Sequence, residues 1–425
     1  MTANATRPAP QHSRVDSRRS HDRLCERVLG FQRRRAVKRS VLGTCTVAAL
    51  IRGVQPLLNK GISMKLKHVV IKNFKGIREV EFPSDAAPNA LRSVTALLGD
   101  NGSGKTSVLQ AIALTLSMAT RRTRDMSSFN WHGFLPERVP SLGPTFVELV
   151  VAFEPEEVVL TSDLFAAWQE SLPSDRRQTL RIVPPSQHTE VTLRFEQGRI
   201  YSLQGFEAVN QFLGRYYVKA LRDERPELRD SFAKLGDVFW FDQHRNLGTL
   251  MAEDISGEGL SHEGWHAGVE QLREYLVGWW GFHKTPGRRG RDFIPLLQES
   301  LETVFPGTRF VGIMPRGGVT TPRANDFYFL IDRDGRVYDL AEMSSGEQAV
   351  FPLVYEFVRL DIKRSVVLID ELELHLHPPE QQRLLAALPR VGPGCQFIIT
   401  THSEFLSSAI PNEQEVRLDR GTRCL

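Results

Sequence analysis

The sequence predicts an α/β fold with a mixed sheet, and three observations support this prediction. A β-rich run at 93–98 ends in a glycine-rich turn, after which residues 107–119 carry apolar side chains at helical spacing. Short apolar runs at 366–369 and 395–400 end in polar residues, as buried strands do. The apolar positions of 66–82 are bracketed by glycine and proline, which indicates two short paired strands.

The remaining elements are predicted from the same periodicities. Further strands are expected at 145–153, 189–195 and 237–242. A hairpin is expected at 327–340, because an Asp-Gly pair marks its turn. Helices are expected across most of 205–306, over 348–360 and from Pro378, since proline is tolerated in the first turn of a helix.

The composition is that of an ordinary globular protein, with 41% apolar and 24% charged residues among 425. Four scattered cysteines without a C-x-x-C pair exclude a disulfide scaffold and indicate reduced thiols. The net charge of +4 is unevenly distributed, because residues 1–63 hold 13 Lys and Arg against 3 Asp and Glu. Residues 64–425 hold 41 against 47, so the basic character does not indicate nucleic-acid binding by the body of the chain.

The basic tail, residues 1–63, has three interpretations. It resembles a transit peptide or a disordered nucleic-acid-binding arm, or it is an over-extended gene start ahead of Met64, which we favour because strand-like patterning begins there. Its apolar run at 41–51 is too short to span a bilayer. We therefore expect a cytoplasmic protein without a membrane partner.

A phosphate-binding loop is indicated at residues 99–106. The run Gly99-Asp100-Asn101-Gly102-Ser103-Gly104-Lys105-Thr106 matches the pattern G-x-x-x-x-G-K-[ST] at every fixed position, and Ser107 extends the expected nucleotide-binding set. Glycines let successive N–H groups turn inward, and the following helix directs its positive end at the phosphates. Lys105 is expected to bridge the β- and γ-phosphates of ATP, and Thr106 to offer its hydroxyl to Mg²⁺.

Two adjacent carboxylates follow the apolar run at 366–369. A buried strand would deliver both to the same sheet edge as the phosphate-binding loop. Asp370 is expected to hold Mg²⁺ through water, and Glu371 to orient and polarise the attacking water. Without the glycine loop, a surface acidic pair after a core strand would be a credible alternative.

Two further segments have the residue types that contact a γ-phosphate. Residues 343–348, Met-Ser-Ser-Gly-Glu-Gln, read alone as a helix capping box. Because they lie between the P-loop and the acidic pair, they also match a segment that binds the γ-phosphate of ATP held by another subunit. Ser344, Gly346 and Glu347 are the nucleotide-binding residues in this interpretation. His402, at the end of a buried strand, is suited to sensing the γ-phosphate in catalysis.

Together these motifs resemble the ABC-type ATPases of the RecF, SMC and OLD branch. Residues 73–76, Asn-Phe-Lys-Gly, and 370–378, Asp-Glu-Leu-Glu-Leu-His-Leu-His-Pro, are similar to the OLD-like ATPases in particular. The resemblance covers most of 64–410. Leu372 stands where that branch usually has proline, and Met343 begins the signature instead of leucine. Neither departure removes a functional group, so an active site is expected.

The resemblance implies a P-loop NTPase with an ABC-type ATPase head that includes an antiparallel β-subdomain. The mainly helical stretch at about 205–306 carries little of the resemblance, and we interpret it as a lobe inserted into the head. The head would comprise residues 64–204 and 310–425, and the lobe residues 205–309. The resemblance also implies a head-to-head homodimer or higher homo-oligomer, in which Ser344 and Gly346 close over ATP held by the other subunit. A glutamine that reports Mg²⁺ to the lobe is expected, and Gln243 is our candidate.

Two functions from different classes remain open. The first is an ATPase subunit that controls a separate effector, a nuclease or toxin, as in anti-phage systems built on OLD-like ATPases. OLD enzymes carry a nuclease domain after the ATPase, and this chain ends too soon for one, so we expect a nuclease to act in trans. The second is a RecF-like repair ATPase that binds DNA as an ATP-dependent clamp.

Three other signals are given a structural interpretation. The H-E-x-x-H pattern beginning at His262 is crowded by glycines, which argues against the rigid helix that a zinc site needs. Trp279 and Trp280 are expected to pack in the core. Basic runs such as the loop at 287–291 are mostly solvated loops, but this one is the best local candidate in the body of the chain for a contact with a phosphate backbone.

Overall fold

The computed structural model describes residues 64–83, 92–120, 125–129, 131, 133–173, 183–221, 225–243, 265–318 and 323–418. The predicted tail at 1–63 and the start of the H-E-x-x-H pattern at His262 lie outside these ranges. Among the described helices, none combines the length and the apolar character that crossing a membrane requires.

The strands in these ranges are β1 (Lys65–Phe74), β2 (Ile77–Phe82), β3 (Val94–Leu98), β4 (Phe146–Ala152), β5 (Glu190–Glu196), β6 (Arg199–Ser202), β7 (Val238–Phe241), β8 (Thr308–Pro315), β9 (Phe327–Arg333), β10 (Arg336–Asp339), β11 (Val366–Ile369), β12 (Gln396–Thr401) and β13 (Glu415–Arg417). The α-helices are α1 (Lys105–Thr120), α2 (Pro155–Ser171), α3 (Phe206–Asn210), α4 (Gly214–Leu221), α5 (Trp265–Lys284), α6 (Phe293–Val304), α7 (Ser345–Arg359), α8 (Pro378–Val391) and α9 (Glu404–Ala409).

A parallel sheet lies at the centre of the described chain. Its strand order is β13-β3-β12-β11-β7, and every neighbouring pair runs parallel. Every residue of β7, β11 and β12 is buried. Near-continuous apolar runs are typical of parallel strands covered on both faces.

The two faces of this sheet pack into different cores. On β11, Val366 and Leu368 join one core with α1 and the antiparallel strands β1, β4 and β5. Val367 and Ile369 join a second core with α5 to α8 and the strands β8 and β9. Because successive side chains of a strand point to opposite faces, a four-residue strand contributes two residues to each core.

Two antiparallel sheets accompany the parallel one, with strand orders β2-β1-β4-β5-β6 and β10-β9-β8. The β9–β10 hairpin turns at Asp334 and Gly335, both of which have a positive φ (54° and 85°), as expected from the Asp-Gly pair. The predicted α/β class with parallel and antiparallel strands is therefore confirmed. In the described ranges the antiparallel strands form sheets of their own and do not extend the parallel sheet.

The segment 205–309 contributes more than helices. Its strand β7 pairs in parallel with β11, so part of the predicted lobe belongs to the central sheet. Its helix α4 packs against α2 through buried side chains, with the Tyr217 ring 5.6 Å from that of Phe165 between ring centroids. The strand at 237–242 was expected, but its partner was not, because strand pairing is not a local property.

The tryptophans of α5 pack as expected. The Trp279 ring stacks on Phe293 at 4.6 Å and on Tyr355 at 5.0 Å between ring centroids. Trp280 meets Phe329 edge to face at 6.2 Å. These contacts join α5 to α6 and α7, which is a structural role.

Candidate nucleotide site

Four segments meet at the carboxyl edge of the parallel sheet. β3 runs into the glycine loop, β11 ends before Asp370, β12 ends before His402, and β7 ends two residues before Gln243. Parallel strands bring their carboxyl ends to one edge, where ligands bind in open α/β sheets. The predicted P-loop, acidic pair, histidine and glutamine, although far apart in the sequence, therefore lie along one edge.

The glycine loop has the backbone that a phosphate cradle requires. Gly102 and Gly104 have φ values of 80° and 99°, a region that favours glycine. A Cβ on Gly99 would lie 2.6 Å from the Leu418 carbonyl oxygen, so this position also needs glycine. Helix α1 begins at Lys105, and its first N–H groups have no partner within the helix, so they suit an anion.

Lys105 is folded onto the loop that precedes it. Its Nζ donates to the carbonyl oxygens of Gly99 at 2.7 Å and Asp100 at 3.0 Å, and the residue is only 6% exposed. These bonds hold the ammonium group over the loop, where phosphates are expected.

Thr106 and Asp370 are in direct contact. The Thr106 hydroxyl donates to Asp370 Oδ2 at 2.9 Å, and Asp370 is 2% exposed. One hydroxyl and one carboxylate are oxygen ligands of the kind that Mg²⁺ takes from a protein when phosphates and water supply the rest. Within the described ranges, no group of three His, Cys, Asp or Glu side chains could hold a metal by itself.

Thr400, at the end of β12, organises both acidic residues. Its hydroxyl donates to Asp370 Oδ1 at 2.6 Å and accepts the Glu371 N–H at 2.7 Å. Glu371 has a φ of 48°, a left-handed conformation that non-glycine residues seldom adopt. Such strain costs about 1–3 kcal/mol and persists where the surroundings hold it, often at functional sites. Thr400 supplies part of that restraint.

His402 is held by Glu373. One oxygen of that carboxylate, Oε1, accepts the His402 backbone N–H at 2.6 Å and lies 2.8 Å from its Nδ1. The Glu373 side chain is 6% exposed, whereas the His402 imidazole is 48% exposed. The imidazole is therefore exposed at the surface of the site, while the Glu373 carboxylate that it contacts is buried.

Gln243 is the second residue after β7, the strand that pairs with β11. The Phe241 carbonyl, at the end of β7, accepts the Asp370 N–H at 2.9 Å. This bond places the two residues after β7 beside the end of β11. The assignment of Gln243 as a metal ligand remains a prediction.

The segment at 343–348 forms a capping box. Ser344 is the N-cap of α7, its N–H donates to Glu347 Oε2 at 2.8 Å, and its hydroxyl donates to the same oxygen at 2.7 Å. Glu347 also accepts from Tyr338 Oη at 2.6 Å and Arg333 Nη1 at 2.9 Å. Burial alone would raise the pKa of Glu347, but these hydrogen bonds lower it below its usual value.

This network occupies the Glu347 carboxylate with groups of the same chain, and the nucleotide contact predicted for Glu347 stays a prediction. The residue is 4% exposed, and its carboxylate is engaged by Tyr338, Arg333 and Ser344 of its own subunit. It therefore positions Ser344 from behind. Gly346 lies against α8, so a Cβ added at this position would lie only 2.8 Å from Glu380 Oε2.

Sequence reasoning left four supporting residues without a role. Thr400 and Glu373 hold the acidic pair and the histidine, while Arg333 and Tyr338 hold the signature glutamate. Thr400 had a detectable signal, since a threonine that ends an apolar strand beside two carboxylates is placed to accept and donate. The role of Glu373 depends on a partner 29 positions away, and the roles of Arg333 and Tyr338 depend on how the hairpin before α7 packs against that helix.

The basic loop at 287–291 is partly neutralised. Arg288 pairs with Asp292, and Arg291 pairs with Asp361, each with a nitrogen–oxygen distance of 2.8 Å. Two of its three arginines thus already have carboxylate partners, which weakens the loop as a contact for a phosphate backbone.

A P-loop before a helix, an adjoining buried aspartate and a parallel sheet define this protein as a P-loop NTPase. Two family models match the chain. The model described as "AAA ATPase domain" matches residues 64–159, and the one described as "AAA domain, putative AbiEii toxin, Type IV TA system" matches residues 214–408.

Curated relatives and solved structures are similar over most of the chain. "Retron Vc95 probable ATPase" of Vibrio cholerae serotype O1 biovar El Tor is 22% identical over 86% of this chain and 75% of its own length. "Septu protein PtuA" of Bacillus mycoides (strain KBAB4) is 23% identical over 84% of this chain and 41% of its own length. The SMC head domain from Thermotoga maritima is 17% identical over 81% of this chain and 92% of its own, with a TM-score of 0.38, too low to support a functional argument.

The chain therefore matches AAA ATPase families over residues 64–159 and 214–408, and the order of its motifs resembles that of the ABC-type ATPases of the RecF, SMC and OLD-like branch. It spans three-quarters of the retron relative and less than half of the Septu protein.

Proposed function

We propose that this protein binds and hydrolyses ATP as a head-to-head dimer and that its ATP state controls a separate effector protein in anti-phage defence. The observation that carries the ATPase part is the convergence of Lys105, Thr106, Asp370 and Glu371 at one sheet edge. The similarity to retron and Septu ATPases supports the defence role.

The catalytic steps follow from groups already placed in the site. Lys105 Nζ exchanges its bonds to the loop carbonyls for bonds to the β- and γ-phosphates. Thr106 and Asp370 would hold Mg²⁺, which neutralises developing charge on the phosphates when bound. Glu371 accepts a hydrogen bond from the attacking water and orients it toward the γ-phosphate. His402 donates to a γ-phosphate oxygen from the end of β12.

The dimer part of the proposal rests on the start of α7. Ser344 is the N-cap, and Gly346 lies in the first turn, where the helix macrodipole is positive. Both residues suit an anion, but they lie at the start of α7 and not at the start of α1, the helix that follows the P-loop. A second subunit in twofold symmetry would place this anion site over the nucleotide bound by the first, giving two equivalent sites.

The first experiment tests turnover and assembly together. Glu371→Gln keeps the size of the side chain and removes its ability to act as a base, so it should bind ATP, accumulate as a dimer and lose turnover. Lys105→Ala should lose ATP binding and stay monomeric under the same conditions. Light scattering after gel filtration, with and without ATP, measures the assembly. Wild-type ATP hydrolysis by Glu371→Gln would exclude it as the catalytic base.

The effector is tested by affinity purification of Glu371→Gln from cells that carry the gene naturally, with ATP present. Lys105→Ala, purified in parallel, is the matched control for binding that does not depend on ATP. A stoichiometric nuclease or toxin found with Glu371→Gln alone would support effector control. Recovery of DNA with recombination proteins, and no effector, would instead favour the RecF-like clamp.

A further inference from the structure

The carboxylate of Glu373 contacts His402 at two points through a single oxygen. Oε1 accepts the backbone N–H at 2.6 Å and meets the ring Nδ1 at 2.8 Å. Two contacts from one rigid acceptor fix both the main chain and the rotation of the imidazole. We infer that Glu373 is a positioning residue for His402 in ATP hydrolysis, an inference that rests on the proposed function.

The contact also sets which ring nitrogen is available. An ionised carboxylate only accepts hydrogen bonds, so Nδ1 carries a proton in this arrangement. In the imidazolium form Nε2 also carries a proton, so it is the nitrogen that can donate to a phosphate oxygen, and the ring is 48% exposed. A histidine that contacts a γ-phosphate must present one particular ring nitrogen to it. A hydrogen-bond partner on the other nitrogen determines which one that is.

The buried position of Glu373 is a costly one for a carboxylate. The whole Glu373 residue is 7% exposed, and its Oε2 has no hydrogen-bond partner in the part of the chain that the structure describes. A buried carboxylate with one unpaired oxygen is unfavourable compared with an apolar side chain of similar size. A native group of this kind calls for an explanation in function, and the site supplies one through His402.

Glu373 and Thr400 both take part in hydrogen bonds that join the end of β12 to the segment after β11. The end of β12 and the segment after β11 share the Glu371 N–H bond to Thr400 Oγ1, the Leu372 N–H bond to the Thr400 carbonyl at 3.1 Å, and the His402 N–H bond to Glu373. These bonds hold Glu371 and His402 in one fixed relation. Thr400 thus positions Glu371, and Glu373 positions His402.

A double-mutant cycle with steady-state kinetics tests the inference. His402→Ala should lower kcat for ATP about tenfold or more, and Glu373→Ala should come within about threefold of it, while KM changes little. The double variant should be no slower than His402→Ala, because Glu373 acts through that ring. Glu373→Gln should restore most of kcat, since the amide oxygen can still accept from both nitrogens. Glu404→Ala, which removes an exposed carboxylate two residues from His402, is the control and should match the wild type.

The outcomes separate this inference from the proposed function. Wild-type turnover by His402→Ala would remove His402 from the mechanism and would refute that part of the proposed function. A slow His402→Ala with a normal Glu373→Ala, or additive losses in the double variant, would overturn the positioning role alone. If Glu373→Ala does not unfold cooperatively, Glu373→Leu fills the same volume without an acceptor and takes its place. A chain that folds with neither substitution would show that Glu373 is structural and would also overturn the inference.

Discussion

Replacing Thr400 by valine keeps the shape of a fully buried side chain and removes its hydroxyl. That hydroxyl donates to Asp370 at 2.6 Å and accepts the Glu371 N–H at 2.7 Å. A hydrogen bond to a charged group contributes about 1.5–3 kcal/mol, and an unpaired buried N–H costs about 1–3 kcal/mol. Because Asp370 keeps its bond from Thr106, the lower half of each range applies, and the free energy of unfolding should fall by about 3 kcal/mol.

Thermal unfolding and ATP turnover measure the two consequences of Thr400→Val. The entropy of unfolding of a chain of this size converts the loss into a decrease of roughly 3–4 °C in Tm. Turnover should fall about tenfold or more, because Glu371 loses a restraint on its strained backbone. Thr400→Ser keeps both hydrogen bonds and is the matched control. A valine variant with the Tm and turnover of the wild type would refute the reasoning that Thr400 organises the acidic pair.

Three further predictions concern the structure around the site. Arg273→Met removes the buried partner of Asp339 and should destabilise the protein by about 3–5 kcal/mol, measured by chemical denaturation; an unchanged midpoint would contradict it. The pKa of Glu347 is lowered from 4.5, because hydrogen bonds outweigh burial, so its stabilisation is present above pH 4.5 and lost as the pH falls through the lowered value. The Tm of the wild type should therefore decline more steeply in acid than that of Glu347→Gln, and equal slopes would disprove this. Gly346→Ala adds a methyl group in the first turn of α7, which is proposed to approach the nucleotide of a second subunit, and we expect normal ATP binding with loss of the ATP-induced dimer in light scattering. A dimer at the wild-type level would contradict it.

Elements with a strong local pattern were predicted closely. The strand at 366–369 and the Asp334-Gly335 turn lie where the sequence placed them, since four consecutive apolar residues and a positive-φ pair are local features. Strand β8 and helix α2 were not predicted. Helix α2 has weakly segregated apolar positions, and β8 has a register irregularity near Gly312 that breaks its alternation.

The candidate site, like the fold, contains some features that local sequence patterns predict and others that they do not. The P-loop and the acidic pair are contiguous motifs whose chemistry can be read from residue types and spacing, so Lys105, Thr106 and Asp370 could be proposed at once. Glu347 belongs to an equally clear motif, but the motif does not say which way its carboxylate faces. That direction depends on Tyr338 and Arg333, which come from the neighbouring hairpin.

The sequence by itself determined the class of protein, the phosphate-binding loop and the acidic residues beside it, because these depend on short patterns with a direct physical meaning. The tertiary structure alone decided which distant residues meet. Thr106 contacts Asp370 across 264 positions, and Glu373 contacts His402 across 29. Strand order brings these partners together, and strand order follows from the burial of both sheet faces, to which residues throughout the chain contribute.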